Sequence, residues 1–284
     1  MARALRLQAV TLPVPDVVAA EKFYRWVLAM KSSAEDPIEG AASLGWGKED
    51  RVRLVAASEL ESLELRMEAG EPASIATWLA ERGLEPTRVV AFAEDGSTLR
   101  DVWPRAELVL DPDPAVSNRF VVSIETPVDV RFDLHVPLPS PTVVERGRHG
   151  PFYRRSKDWS GLENPGLLGL TLGATDRGGL TGLFEALGIG RMRPEERDAP
   201  ERKGAGEERD AADLPYMVGD HQIRVEPREP PGIYGAAFVV AAPRLPDLVR
   251  TLERFEVQHR HERNHLLAVD PAGRILVVNG VRSG

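Results

Sequence analysis

Alternation of apolar and polar residues opens the chain as a strand. Across Leu5–Val14, the residues Leu5, Leu7 and Ala9 interleave with Arg6 and Gln8, the period-two pattern of a half-buried β-strand. Asp16 then stands where an N-cap belongs, and Phe23, Trp26, Val27 and Met30 recur at three- and four-residue spacing, which predicts an amphipathic helix over 17–30. Apolar runs at 41–46 and 51–56, punctuated by Gly45, Gly47 and the charged Lys48-Glu49-Asp50, predict strands. The same order then returns. Residues 63–67 read as a strand and 72–81 as a helix opened by Pro72 and closed by Gly83. Residues 87–93, 98–103 and 106–110 read as short strands.

A third round begins at 167–174, ends in Asp176, and continues as a helix over 180–187 and strands at 216–218 and 222–225. A fourth has a strand at 235–241 and a helix over 243–255 with Leu245, Leu248, Leu252 and Phe255 on one face. Strands at 257–261, 266–269 and 274–278 follow, the last two joined by an Asp270-Pro271-Ala272-Gly273 turn. The texts of rounds one and three align, LQAVTLPVPD with LGLTLGATD and DRVRLV with HQIRVE, as internal repeats do. The pattern predicts an α+β chain of four βαβββ modules paired two and two. Residues 1–114 form one domain (modules 5–58 and 62–111), and 166–284 form the other (modules 166–228 and 232–281). Between them, 115–165 reads as an added hairpin followed by a Pro-, Gly-, Arg- and Ser-rich linker. Residues 193–212, almost all charged or small, read as an excursion between strands.

Composition narrows the chemistry. The 284 residues include no cysteine, which excludes disulfides, a thiolate nucleophile and Cys-ligated metals. No window approaches the roughly 18 apolar residues of a membrane span, and the start runs straight into the strand pattern without a signal-like apolar region, so a cytoplasmic protein is expected. A net charge of −8 argues against nucleic acid or a membrane as partner and leaves a small-molecule ligand, with self-association open. Only five of the 36 basic residues are lysines, a skew that fits a GC-rich genome better than a general demand for guanidinium groups.

The opening segment carries a family resemblance. In QAVTLPVPDVVAAEKFYRWVLAM, the residues Val10, Leu12, Val14, Asp16, Phe23, Tyr24, Val27, Leu28 and Met30 fall in step with the start of the vicinal oxygen chelate superfamily, the glyoxalase, bleomycin-resistance and extradiol dioxygenase group. The Asp270–Gly273 turn before the last strand is a further likeness. The resemblance implies tandem domains, each a cup-shaped eight-stranded sheet, in which His, Gln or Glu from the first and last strands of each module hold a divalent metal. Such a metal chelates two neighbouring substrate oxygens.

At those positions this chain departs from the pattern. The first-strand His position falls on Ala9, the closing strand of module one brings Arg53, and module two offers Glu64 and Glu107. Glu64 and Glu107 could hold Fe, Mn, Zn or Ni if a further donor completed the shell. Otherwise Arg53 pairs with them in a buried cluster, or they lie outside the cup. In the second cup the corresponding positions fall near Gly169, Arg224, Ala236 and Leu276 or Val277, a set without a metal shell, where Arg224 repeats Arg53 and Glu226 could be its partner. Three functions remain open. The first is a binding protein for a small anionic molecule, contacted by Arg53, Glu64, Glu107 and Arg224. The second is a metal-dependent dioxygenase or lyase, and the third a scaffold with plugged cups. Two further constellations stand beside these: His259, His261 and His265 as a conceivable imidazole trio on a hairpin, and Asp133 with His135 as an oriented base. For each the plainer reading is structural, a solvent-facing hairpin and an ordinary hydrogen bond.

Overall fold

The computed structural model describes residues 5–33, 40–45, 51–59, 61–67, 77–93, 98–102, 117–124, 126–127, 130–137, 166–192, 214–219, 221–262 and 264–281. The first half holds β1 (Leu5–Val14), α1 (Val17–Val27), β2 (Lys31–Ser33), β3 (Ala42–Gly45) and β4 (Arg51–Ala56). It continues with β5 (Ser62–Met67), β6 (Pro86–Ala93), β7 (Thr98–Val102), β8 (Ser117–Ile124) and β9 (Arg131–Pro137). These strands make one sheet in the order β2-β3-β4-β1-β5-β9-β8-β6-β7. The second half holds β10 (Gly166–Ala174), α2 (Arg177–Ala186), β11 (Gly190–Arg191), β12 (Tyr216–Val218) and β13 (His221–Pro227). After these come β14 (Gly232–Ala241), α3 (Leu245–Arg254), β15 (His259–Glu262), β16 (His265–Val269) and β17 (Ile275–Val281). Its sheet runs β11-β12-β13-β10-β14-β17-β16-β15.

The helices begin where the capping residues require. Asp16 accepts from the Ala19 amide at 3.0 Å and Asp176 from the Gly179 amide at 2.8 Å, each satisfying a donor that the first turn leaves open. In α1 the buried residues are Ala20, Tyr24 and Val27, whereas Trp26 is exposed and stacks on Phe255 from the far end of the chain, centroids 5.4 Å apart. The helix ends at Val27 rather than at Met30, because Ala29 takes a positive φ of 53° and breaks the ladder.

Each half has the same centre. β4 and β9 flank the antiparallel pair β1-β5 in parallel, and β13 and β17 flank β10-β14 likewise. This placement corrects the expected boundary of module two. The predicted strand at 106–110 lies outside the described residues, while the segments expected as an added hairpin, β8 and β9, are built into the first sheet, with β9 lying beside β5 as β17 lies beside β14. Module two therefore extends to Pro137, and with β7 at its edge the first sheet counts nine strands among the described residues. A parallel neighbour is chosen by long-range packing, and local alternation carries no record of it.

One face of each sheet joins the buried stripes of α1, α2 and α3 in a continuous apolar core that includes Leu12, Phe132, Leu172 and Phe238. The halves are also joined by polar contacts. The buried Tyr24 hydroxyl donates to Asp270 at 3.0 Å, and Arg274 donates to the Pro13 carbonyl at 2.8 Å and pairs with Glu61 at 3.0 Å. Asp270 is held in turn by the amides of Ala272 and Arg274, at 2.9 and 2.8 Å. Burial, followed by the charge of Asp270 and the hydrogen bond to it, pushes the Tyr24 hydroxyl well above the ordinary tyrosine range, with Arg274 opposing.

Candidate functional site

The opposite face of each sheet, turned away from that core, carries the chemistry. In the second sheet, Thr171 is the register partner of both Arg224 and Gly235, and Gly169 of both Gln222 and Ala237. Ala237 in turn lies beside Val277. These residues and their neighbours line a cavity of about 520 Å³. Leu267, Ile275 and Val277 give it an apolar side, and Gln222, Arg224 and Asn279 a polar one. Gly169 lets the strands approach there: a Cβ on it would lie 2.1 Å from the carbonyl oxygen of Gln222.

Among the described residues, the carboxylates of this cup are taken by arginines other than Arg224. Glu226, expected beside Arg224, is held by Arg228 at 2.9 Å, and Glu262 by Arg260 at 2.5 Å. No described residue pairs with Arg224, which is exposed within the cup. His265 shares a 2.6 Å hydrogen bond with Asn279. The histidine trio is divided by register. His261 lies opposite Leu266, and His265 lies opposite Glu262, so His265 faces the cup while His259 and His261 face the other way.

The first sheet repeats the geometry with different residues. Thr11 is the partner of Arg53, as Thr171 is of Arg224, so the two arginines occupy equivalent places. Arg53 and Glu64 come together in an ion pair with side chains only 15% and 5% exposed. Glu107 lies outside the described residues. The second carboxylate of this cup is Asp133, which sits beside Glu64 in the register. It accepts from Ser123 at 2.6 Å and from Arg131 at 2.9 Å. Those donors give Asp133 a structural role, the plainer of the two readings of the Asp133 and His135 pair. The sequence placed Asp133 only on one strand face with His135, two residues on; its adjacency to Glu64 follows from the pairing of β9 with β5.

A metal shell of the expected kind needs several donors converging from the central strands. In the second cup the four positions at one level are Gln222, Gly169, Ala237 and Val277, with a single amide among them. Ala236 and Leu276, considered from sequence, are buried on the core side. In the first cup the corresponding residues are Arg51, Ala9, Glu64 and Asp133, and both carboxylates are already engaged by guanidinium groups. Among the described residues no three His, Asp or Glu side chains gather in a metal-holding group. The donor sets among the described residues do not fit a divalent ion.

No protein-family model matches the sequence, and no curated protein does. Solved structures share the architecture along nearly the whole chain. A catechol 2,3-dioxygenase superposes with a TM-score of 0.58 at 12% identity, covering 99% of this chain and 89% of its own. The 2,3-dioxygenase LapB from Pseudomonas sp. KL28 gives 0.55 at 16%, covering 98% and 92%. The Mn(II)-bound glyoxalase from Novosphingobium aromaticivorans gives 0.55 at 13%, covering 99% and 83%. At such identities the likeness is one of fold.

Proposed function

We propose that this chain, a tandem protein of the vicinal-oxygen-chelate fold, binds a small molecule with an apolar body and one anionic group in the cup of its second half. The observation that supports this reading is the guanidinium of Arg224, without a carboxylate partner among the described residues, in a cavity of about 520 Å³. That volume lies within the roughly 300–1,000 Å³ of small-molecule sites, and a mixed apolar and polar lining is their usual character. A guanidinium whose neighbouring carboxylates are already taken favours a carboxylate or similar anion, which it can grip through two parallel hydrogen bonds. Leu267, Ile275 and Val277 would receive the apolar body, and Gln222 and Asn279 would orient it.

A metal-dependent dioxygenase or lyase draws support from the fold of the neighbours but lacks a donor set among the described residues. A plugged scaffold is disfavoured by the cavity itself. The test is calorimetric titration with benzoate and with benzyl alcohol, a neutral counterpart of similar shape, on the full chain and on Arg224→Met. Benzoate should bind in preference to the alcohol, and Arg224→Met should lose about 1.5–3 kcal/mol of that affinity, the scale of a charge-assisted hydrogen bond. Equal affinity for the two probes, or benzoate binding indifferent to Arg224→Met, would refute the reading.

A further inference from the structure

We infer that the cup of the first half is a second binding site, built for a compact oxyanion such as a phosphate, sulfate or carboxylate group. It stands apart from the Arg224 cavity and rests on different residues. Nine polar or charged side chains are buried among the described residues, and seven of them lie on this one sheet face. Three are charged: Arg6, Glu64 and Asp133. Four are hydroxyls: Thr11, Ser43, Ser62 and Ser123. A sheet face buried merely for stability would carry apolar residues, as the opposite face of the same strands does.

The register sets these groups in a row. Ser43, Arg53, Thr11, Ser62 and Arg131 are successive partners across β3, β4, β1, β5 and β9. The row therefore reads hydroxyl, guanidinium, hydroxyl, hydroxyl, guanidinium. In the second sheet the corresponding row is Arg224, Thr171, Gly235 and Ile275, so the places of Ser62 and Arg131 hold apolar residues there.

Among the described residues, two hydroxyls of the row lack a hydrogen-bond partner. Thr11 Oγ1 and Ser43 Oγ are buried, the residues 5% and 2% exposed, and neither makes a hydrogen bond, although both flank Arg53. Buried hydroxyls without partners are uncommon and point to a group that completes them. The charge around them specifies its sign. Arg6, Arg53, Arg66, Arg88 and Arg131 share this face with Glu64 and Asp133, a balance of five positive to two negative; Arg51, Arg119 and the acid Asp101 hold further register positions on it. In a chain of net charge −8, that concentration of arginine marks a place for negative charge. Hydroxyls donating to anion oxygens beside guanidinium groups form a site for an oxyanion, whereas a metal ion would meet repulsion there.

The test is isothermal titration of the full chain, in a buffer free of oxyanions, with sodium phosphate, sulfate and acetate as separate arms. Each is repeated on Ser43→Ala, on the double variant Thr11→Val/Ser43→Ala, and on Arg224→Met. At least one oxyanion should bind, and the arm with the highest affinity identifies the ligand chemistry. The double variant should weaken that affinity at least tenfold, Ser43→Ala should weaken it severalfold, and Arg224→Met should leave the phosphate and sulfate arms unchanged; acetate, a carboxylate like the ligand proposed for the Arg224 cup, is scored on the hydroxyl variants alone. Two outcomes would overturn the proposal: no heat with any of the three anions, meaning that water alone completes the hydroxyls, or binding of the tightest anion that is retained in the hydroxyl variants. Should the double variant unfold, Ser43→Ala decides alone.

Discussion

Replacing Tyr24 by Phe removes one buried hydrogen bond between the two halves and, with it, a proton that folding holds in place. The Tyr24 hydroxyl donates to Asp270 at 3.0 Å, and Asp270 keeps the amides of Ala272 and Arg274 when the hydroxyl is gone. At neutral pH the loss should be ~1.5–3 kcal/mol, the range for a hydrogen bond to a charged group. The pH dependence is the sharper test. Tyr24 has its hydroxyl pKa raised by burial and by Asp270. Below pH about 10, the ordinary tyrosine value, folded and unfolded chains both keep the proton and the contact contributes in full. Above that, the unfolded chain releases its proton while the buried hydroxyl retains it, so stability falls by ~1.4 kcal/mol per pH unit until the folded group also ionises. Tyr24→Phe has no such slope. The difference between wild type and Tyr24→Phe should therefore shrink by ~1.4 kcal/mol between pH 9 and pH 11, about 1 kcal/mol of it above pH 10. Urea denaturation followed by tryptophan fluorescence at pH 7.5, 9, 10 and 11 measures it, and arginine and lysine titrations cancel in the comparison. A difference that stays constant from pH 9 to pH 11 would show that Tyr24 does not hold its proton through the Asp270 contact.

Two further changes probe the cups. Arg53→Met takes the guanidinium away from the buried Glu64 carboxylate and should cost ~3–5 kcal/mol in urea denaturation, whereas Arg53→Met/Glu64→Leu should recover most of that loss; equal destabilisation by both would show that the ion pair is not the relevant contact. Gly169→Ala drives a Cβ to 2.1 Å from the Gln222 carbonyl oxygen, and the strands must part to admit it. It should cost ~1–3 kcal/mol and weaken benzoate binding in the adjoining cavity, both read on the same preparation by denaturation and calorimetry.

Much of the architecture was legible from local pattern. Asp16 and Asp176 announced their helices because a short carboxylate before an apolar stripe satisfies open amides wherever it occurs. The equivalence of Arg53 and Arg224 followed from aligned repeats and holds in the register, where both lie beside a threonine of the first strand of their half. The site was less legible. Glu226 looked like the partner of Arg224 because residues two apart on a strand share a face, yet Arg228 shares that face as well and takes it. The histidines looked like a trio because spacing along a hairpin leaves its register open, and a shift of one residue moves a whole strand's side chains to the other face.

The sequence by itself determined the four-module α+β plan, the helix starts, the absence of cysteine chemistry and the repeat that makes Arg53 and Arg224 equivalent. These are properties of local spacing and residue type. Only the tertiary structure decided that β9 lies beside β5, so that Asp133 rather than a residue of 106–110 stands next to Glu64. It alone decided that Arg224 keeps its charge uncompensated among the described residues while Arg53 does not. The physical reason is the same in both cases. Which strand lies alongside in parallel, and which carboxylate reaches a guanidinium, depends on groups brought together across long stretches of chain by burial of the shared core, and that burial leaves its mark on the apolar face rather than on the cup face where the chemistry sits.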